Sequence, residues 1–384
     1  MESVFWIFIS IGAFLCFCYF LLIASYCYGW IKTKEIKMDT DNSVFVSVII
    51  SARNEEENIA RCLDAILAQK YLSDKFEIIV MDDHSEDSTH FIILKYAEKY
   101  PQLKCIQLSE NVFGKKQAIE IAIEISKGDL IITTDADCVM GTNWLASIVS
   151  FYKKTDAKMI VAPIAFYKEN SLFEKMQSLE LMALMACGGA SLFYNKAIMC
   201  NGANLAYQKK AFKAVSGFND INEKASGDDV LLMYKIKKEY STGIHFLKNE
   251  EAIVYTKAKK LLKEFAQQRK RWASKGFSAL NIETKKVSLL IYLFNFYLVF
   301  IPVIGCVCLL NSPFHLPFIQ ICLILIGIKC FIDFLLLFLS ASFFKKKRLL
   351  LLFFPEQIIY MIYVVLFGLM GSIGKYEWKG RKTN

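Results

Sequence analysis

The chain has 384 residues, 55% of them hydrophobic, and a formal charge of +9. Its twelve cysteines include no Cys-x-x-Cys pair and its four histidines are scattered, which argues against a zinc site and against a disulfide framework. No Gly-x-Gly-x-x-Gly fingerprint and no P-loop occur, so neither a dehydrogenase nor an ordinary NTPase fits.

Residues 4–30 form an uncharged apolar run with Trp6 and Trp30 near its ends, long enough for the roughly 20 residues that cross a bilayer. A cleaved signal peptide is the alternative. The run lacks a basic stretch before it, exceeds the ~7–15 residues of such a core, and is followed by no small-x-small cleavage site. It reads as an anchor over residues 1–31. Lys32, Lys34 and Lys37 follow it directly, which places the middle of the chain in the cytoplasm by the positive-inside rule.

From residue 44 to about 163 short apolar runs alternate with helix-period segments. Strands are expected at 46–52, 76–81, 103–108, 130–134 and 159–162. Helices are expected at 55–69, with Ile59, Leu63, Ile66 and Leu67 on one face, through Ile92, Ile93 and Tyr96, and at 117–126. This alternation predicts an α/β fold, a mainly parallel sheet covered by helices, with ligands beyond the carboxyl ends of the strands.

The acidic residues stand at those ends. The first strand runs into Ala52-Arg53-Asn54-Glu55-Glu56-Glu57, where Asn54 caps the next helix and the glutamates complement its dipole. The second runs into Asp82-Asp83-His84-Ser85; a cap at Ser85 leaves two consecutive carboxylates unexplained. Gly114-Lys115-Lys116 enters a helix. The fourth strand ends in Asp135-Ala136-Asp137, whose carboxylates, two apart in an extended segment, converge on Mg²⁺ or Mn²⁺. Gly227-Asp228-Asp229 opens a later helix, either as a dipole complement or as a general base beside a metal-bound diphosphate.

Residues 257–286 read as amphipathic and interfacial. Leu261, Phe265, Gln268 and Trp272 form one stripe, and Gln268, Arg271 and Trp272 share a neighbourhood that can meet diphosphate and sugar. Much of the positive excess lies here and beside the apolar runs, which suits anionic lipid rather than nucleic acid. Runs at 287–310, 316–344 and 349–374 are three further spans; Pro355, Glu356 and Gln357 interrupt the last, which reads either as a full span or as a re-entrant or interfacial segment. Lys329 and Asp333 stand four apart inside the second of these, as a self-neutralising pair or as a polar stripe lining a path. A full last span sets the basic tail, 375–384, outside, against the charge rule.

Taken in order from Val46 to Trp272, these motifs resemble the membrane-integrated, processive-type members of glycosyltransferase family 2, such as cellulose, chitin, hyaluronan and poly-N-acetylglucosamine synthases. The resemblance implies a GT-A fold over residues 44–256, an inverting mechanism and a UDP-sugar donor. It implies that Asp82 and Asp83, with Ala52 and Glu55 nearby, hold the nucleoside, and that Lys115 lies beside the base. Asp135 and Asp137 match the Asp-x-Asp, with Asp137 the principal metal ligand. Asp229 matches the catalytic base; Asp228 stands where the family has glutamate, so either aspartate can hold that role. Asn201 to Asn204 resembles the loop lining the acceptor site, with Asn204 and Trp272 as acceptor contacts and Gln268 and Arg271 as donor contacts. Trp378-Lys379-Gly380-Arg381 resembles the ending of small bacterial members, which favours a cytoplasmic tail. The expected partners are a nucleotide-sugar, a glycan or lipid-linked acceptor and membrane lipids. The alternatives are a single-addition transferase acting on a lipid, a nucleotide-binding transporter, and an inactive scaffold.

Overall fold

The computed structural model describes residues 2–36, 43–221, 227–273, 280–370, 376–378 and 381–383. From the N-terminus the chain runs α1 (Glu2–Lys32), β1 (Val46–Ala52), α2 (Ile59–Leu67), β2 (Phe76–Asp82), α3 (Thr89–Lys99), β3 (Leu103–Gln107), α4 (Lys115–Ile125), β4 (Leu130–Asp135), β5 (Val139–Met140) and α5 (Trp144–Thr155). It continues through β6 (Met159–Val161), β7 (Ile164–Phe166), α6 (Leu172–Phe193), β8 (Leu205–Gln208), α7 (Lys209–Ala214), α8 (Asp228–Glu239), β9 (Ile244–Phe246) and β10 (Val254–Thr256). Helices α9 (Leu262–Ala273), α10 (Ile282–Cys308), α11 (His315–Phe343) and α12 (Phe353–Met370) follow, then the short strands β11 (Tyr376–Trp378) and β12 (Arg381–Thr383). The chain forms two compact units: Met1–Lys32, Ser171–Ala190 and Lys260–Gly374 make one, and Thr33–Asn170, Ser191–Lys259 and Lys375–Asn384 the other.

The second unit is built on a seven-stranded sheet in the order β3-β2-β1-β4-β8-β6-β9. Strands β3, β2, β1 and β4 run parallel, whereas β8 is antiparallel to both its neighbours. The near-continuous Val/Ile runs of β1 and β2 are buried along their length, as strands covered on both faces must be. The chain steps outward from β1 to β3 and returns to β4, so the switch of direction falls between β1 and β4. A crevice at such a point, beyond the carboxyl ends, is where open α/β sheets bind ligands. Beside this sheet, β5, β10 and β7 form a smaller one.

Two helix starts differ from the sequence expectation, for one reason. Helix α2 begins at Ile59 with Asn58 at its N-cap, and α3 begins at Thr89 after Ser88, so neither Asn54 nor Ser85 is a cap. Asn54 adopts φ 50° and His84 φ 56°, and their two loops bond to each other instead. The Asn54 amide donates to Ser85 Oγ (3.1 Å), the Glu86 amide to Asn54 Oδ1 (2.9 Å), and the Glu55 amide to Thr89 Oγ1 (2.7 Å). The glutamates therefore stay out of the first turn of α2, where no acid stands.

In the first unit four helices correspond to the expected spans, and a fifth, α6, joins them; all five are long and apolar enough to cross a membrane. Helix α6 is the least apolar, with a mean hydropathy of 1.2 against 2.6 for α1, and 67% of its apolar window is buried against 22%. Pro355 does not break the last span. It falls in the first turn of α12, where a missing N–H leaves no bond unmade, and the helix runs on to Met370. Lys329 and Asp333 do pair, at 2.7 Å. Gln357 Oε1 accepts from the same ammonium (2.7 Å), and Tyr19 donates to the other Asp333 oxygen (2.7 Å). The pair thus ties α1, α11 and α12 together.

Candidate active site

Register sets the site. Ala52 pairs with Asp82 across β1 and β2, and Ser51 pairs with Asp135 across β1 and β4, so the two acidic strand ends flank the end of β1.

On the β1/β2 side the groups are buried. Ala52, Asp82 and Asp83 are all but inaccessible, and the Ala52 carbonyl accepts the Asp83 amide at 2.8 Å. Asp83 accepts from the Gly114 amide (3.1 Å) and lies 3.2 Å from His84 Nδ1, bracing the entry to α4. Gly114 has φ 95°, which a side chain would strain. Asp82 Oδ1 accepts from the Ser85 amide (3.2 Å). Its Oδ2 lies 3.2 Å from His90 Nδ1 without hydrogen-bond alignment, and among the described residues it is a buried acceptor with no hydrogen-bond partner. Glu55 is half-buried and accepts from Asn58 Nδ2 at 2.7 Å. Arg53, which sequence reasoning passed over, is buried and donates to the carbonyls of Asp83 (2.8 Å) and His84 (2.5 Å), locking the two loops together. His84 also stacks on Phe113, centroid to centroid 4.7 Å.

At β4 the two carboxylates converge, but by a turn rather than by strand alternation. The strand ends at Asp135, and the Cys138 amide returns to the Asp135 carbonyl at 3.1 Å. Ligand atoms of Asp135, Asp137 and Cys138 then lie within 4.8 Å of one another. Thr256 Oγ1 donates to Asp137 (3.3 Å) and the Cys138 thiol lies 3.6 Å from its other oxygen. Burial, followed by the charges of Asp137 and Asp135, pushes the Cys138 thiol well above its ordinary pKa. The thiol therefore stays protonated beside the Asp135 and Asp137 carboxyl groups, whose hard oxygens fit Mg²⁺ or Mn²⁺.

Lys115 joins this group to the third acidic site. Its ammonium lies 2.6 Å from Asp135 Oδ1 and 3.5 Å from Asp228 Oδ2. Burial alone lowers its pKa, but the charges of Asp135 and Asp228 and the bond to Asp135 outweigh that and raise it, so the lysine stays charged. Asp228 and Asp229 open α8, and Asp229 Oδ2 accepts from the Gly202 amide at 3.0 Å. Residues 222–226, just before, lie outside the described residues.

Asn204 is a correction. Sequence reasoning places it against the acceptor, yet it is wholly buried and its amide is used by the protein. It donates to the carbonyls of Pro163 (2.7 Å) and Ala252 (2.8 Å) and accepts from Trp144 Nε1 (3.0 Å). Its work is to hold the loop that presents Gly202.

Gln268, Arg271 and Trp272 belong to α9 in the other unit. The buried members of that helix are Phe265 and Arg269, not the whole expected stripe; Leu261 is 61% exposed. Arg269 pairs with Glu180 on α6 at 2.6 Å and lies over the rings of Trp272 (4.2 Å) and Phe265 (4.6 Å). One face of Trp272 is therefore taken by a guanidinium. Gln268 Oε1 is buried without a hydrogen-bond partner among the described residues.

Residues 47–216 match the family model Glycosyl transferase family 2, and the chain carries a domain of that family. The glycosyltransferase AglE of Haloferax volcanii is 34% identical over 34% of this chain and 43% of its own length. The poly-beta-1,6-N-acetyl-D-glucosamine synthase of Staphylococcus aureus (strain COL) is 25% identical over 76% of this chain and 68% of its own. The chain thus spans less than half of the first of these relatives. The structure of the mannosyltransferase PcManGT from Pyrobaculum calidifontis, in complex with GDP-Man and Mn²⁺, superposes with a TM-score of 0.59 at 18% identity, covering 95% of this chain and 99% of that one. The sheet is accordingly of the GT-A type.

Proposed function

We propose that this chain is a membrane-bound inverting glycosyltransferase that moves a sugar from a nucleotide-sugar, a UDP-sugar by resemblance, onto a growing polysaccharide or other membrane glycan. The observation that carries this reading is the convergence of Asp135, Asp137, Lys115, Asp228 and the Gly202-bound Asp229 at the switch point of a family 2 domain. Asp82 Oδ2, a buried acceptor with no hydrogen-bond partner among the described residues, suits a donor group on the nucleoside; Asp83, Ala52 and Arg53 hold the loops around it.

Asp135 and Asp137 would hold a divalent cation, which supplies charge neutralisation for the departing nucleoside diphosphate. Mn²⁺ in the PcManGT complex accords with that assignment. Lys115 offers the diphosphate a fixed positive charge. Asp229 takes the proton from the acceptor hydroxyl as that oxygen attacks the anomeric carbon from the face opposite the diphosphate. A base of this kind contributes ~10²–10⁴-fold. One displacement inverts the anomeric centre and needs no covalent nucleophile. Roles for Gln268 and Arg271 at the diphosphate and Trp272 at the acceptor rest on the motif's resemblance.

Five helices of spanning length support an integral membrane protein, and the lysines after α1 support a cytoplasmic catalytic unit at a bacterial inner membrane. The test is a screen of purified full-length protein against UDP- and GDP-sugars for metal-dependent nucleotide release, with mass spectrometry of the product. Release onto an acceptor with inverted linkage is expected. No release from any donor overturns the reading, and a product bearing one sugar on a lipid replaces polymer synthesis with single addition.

A further inference from the structure

Two of the acidic segments are joined through one flexible side chain. Lys115 rises from the first residue of α4 and places its ammonium 2.6 Å from Asp135 at the end of β4 and 3.5 Å from Asp228 at the start of α8. Its side chain is 24% exposed, so water screens these contacts incompletely. Gly202 keeps the space clear. A Cβ there would stand 3.2 Å from the Lys115 nitrogen and 3.4 Å from Asp228 Oδ2.

The oxygen that Lys115 holds most closely belongs to Asp135, one of the two carboxylates that fit a divalent cation. Two positive centres on one carboxylate repel each other strongly in a half-buried setting. A lysine is also a point charge on a four-carbon stem and binds phosphate as readily as carboxylate. The arrangement has two self-consistent states. In one, the ammonium sits on Asp135 and Asp228. In the other, it sits on a diphosphate and leaves Asp135 to a divalent ion.

We propose that Lys115 is an internal cation that occupies Asp135 until a nucleoside diphosphate draws it off, so that divalent cation and nucleotide enter the site together rather than the cation first. This rests on the metal and nucleotide-sugar reading above, and concerns only the order and coupling of binding.

The test reads metal binding, not turnover. Free Mn²⁺ is followed by its electron paramagnetic resonance signal during titration of the full-length protein in detergent, with and without UDP. Wild type is expected to bind Mn²⁺ at least tenfold more tightly with UDP present. Lys115→Met, which keeps the stem and removes the charge, is expected to bind Mn²⁺ without UDP about tenfold or more tighter than wild type. Lys115→Arg, which retains a cation, is expected to keep the UDP dependence. Mn²⁺ binding by wild type that is equal with and without UDP overturns the proposal and needs no variant. So does a folded Lys115→Met protein whose UDP-free affinity matches wild type. Absence of Mn²⁺ binding under both conditions overturns the metal reading itself, and the proposal with it. Failure of the sugar-transfer screen with a normal binding pattern instead leaves the coupling standing and removes the proposed reaction.

Discussion

Replacing Lys329 by methionine, alone and together with Asp333→Leu, separates a buried ion pair from the packing around it. Lys329 has no exposed surface, and its ammonium donates to Asp333 and to Gln357, both at 2.7 Å. Lys329→Met preserves most of the stem volume but strips both acceptors of their donor. Each lost hydrogen bond to a charged group is worth ~1.5–3 kcal/mol, and removal of one partner from a buried pair costs ~3–5 kcal/mol in all. In the double variant the Asp333 carboxylate leaves together with its cation. What remains unpaired is the Tyr19 hydroxyl, bonded to Asp333 at 2.7 Å, and one Gln357 oxygen, a penalty of ~1–3 kcal/mol for each group left buried. Apolar packing offsets part of that. Because the single variant keeps a buried carboxylate without its cation and the double variant does not, the double variant should be the more stable of the two. Thermal unfolding in one detergent at one scan rate ranks the three proteins: wild type highest, Lys329→Met lowest. A single variant that melts with wild type, or a double variant no better than the single, refutes the reasoning. Undiminished product formation by the double variant also removes any role for the pair in guiding a glycan or headgroup.

Asp137→Ala is expected to abolish metal-supported donor binding; a UDP titration with and without Mn²⁺ checks it, and metal-independent binding of equal strength in wild type sinks the assignment. Asp229→Asn should hold UDP-sugar affinity while transfer falls by ~10²-fold or more; an active Asp229→Asn beside a dead Asp228→Asn moves the base to Asp228. At the other end of the sheet, burial raises the Glu77 pKa, but hydrogen bonds from Lys104, the Lys127 amide and Ser47 outweigh it and hold the carboxyl below its usual range. That stability is complete above the unfolded value, ~4.3, and is lost as pH falls through the lower folded value, so the wild-type advantage over Glu77→Gln in melting temperature should shrink in acid. An advantage that grows toward low pH contradicts the sign. Trp272→Leu should weaken acceptor use and shorten product with UDP affinity nearly intact; full activity and normal product length leave Trp272 as an anchor alone.

What the sequence disclosed depended on how far a signal reached. Short, near-continuous apolar runs rich in β-branched residues in β1, β2 and β4 mark strands, because burial on both faces leaves no room for alternation. The acids at their ends follow from position alone. Asn204 misled because a polar residue in a motif looks accessible, whereas three hydrogen bonds inside the domain absorb it. Asn54 and Ser85 misled because a cap residue and a loop-to-loop bond use the same side-chain chemistry. Arg53 and Arg269 were legible only as charges. Their partners, the carbonyls of Asp83 and His84 in one case and Glu180 in the other, lie some 30 and 89 positions away. Such distances leave no local periodicity to read. An arginine next to an apolar strand end, or one four residues after a helical Phe and so on the same face as it, is the signal that would have found both.

Helix α6 makes the two compact units non-contiguous in sequence. It lies in sequence between β7 and β8 of the catalytic sheet, yet its first nineteen or so residues group with the apolar helices. Phe173 meets Phe265, Glu180 holds Arg269, and the Met182 carbonyl accepts from Ser340. Cutting the chain at residues 44 and 256 would keep α6 and discard every one of those partners. The fragment would carry a bare apolar helix with an unpaired acid at its centre, and should precipitate or require detergent although both obvious membrane ends had been removed. Anyone seeking a tractable catalytic piece must redesign the face of α6, not merely trim the termini.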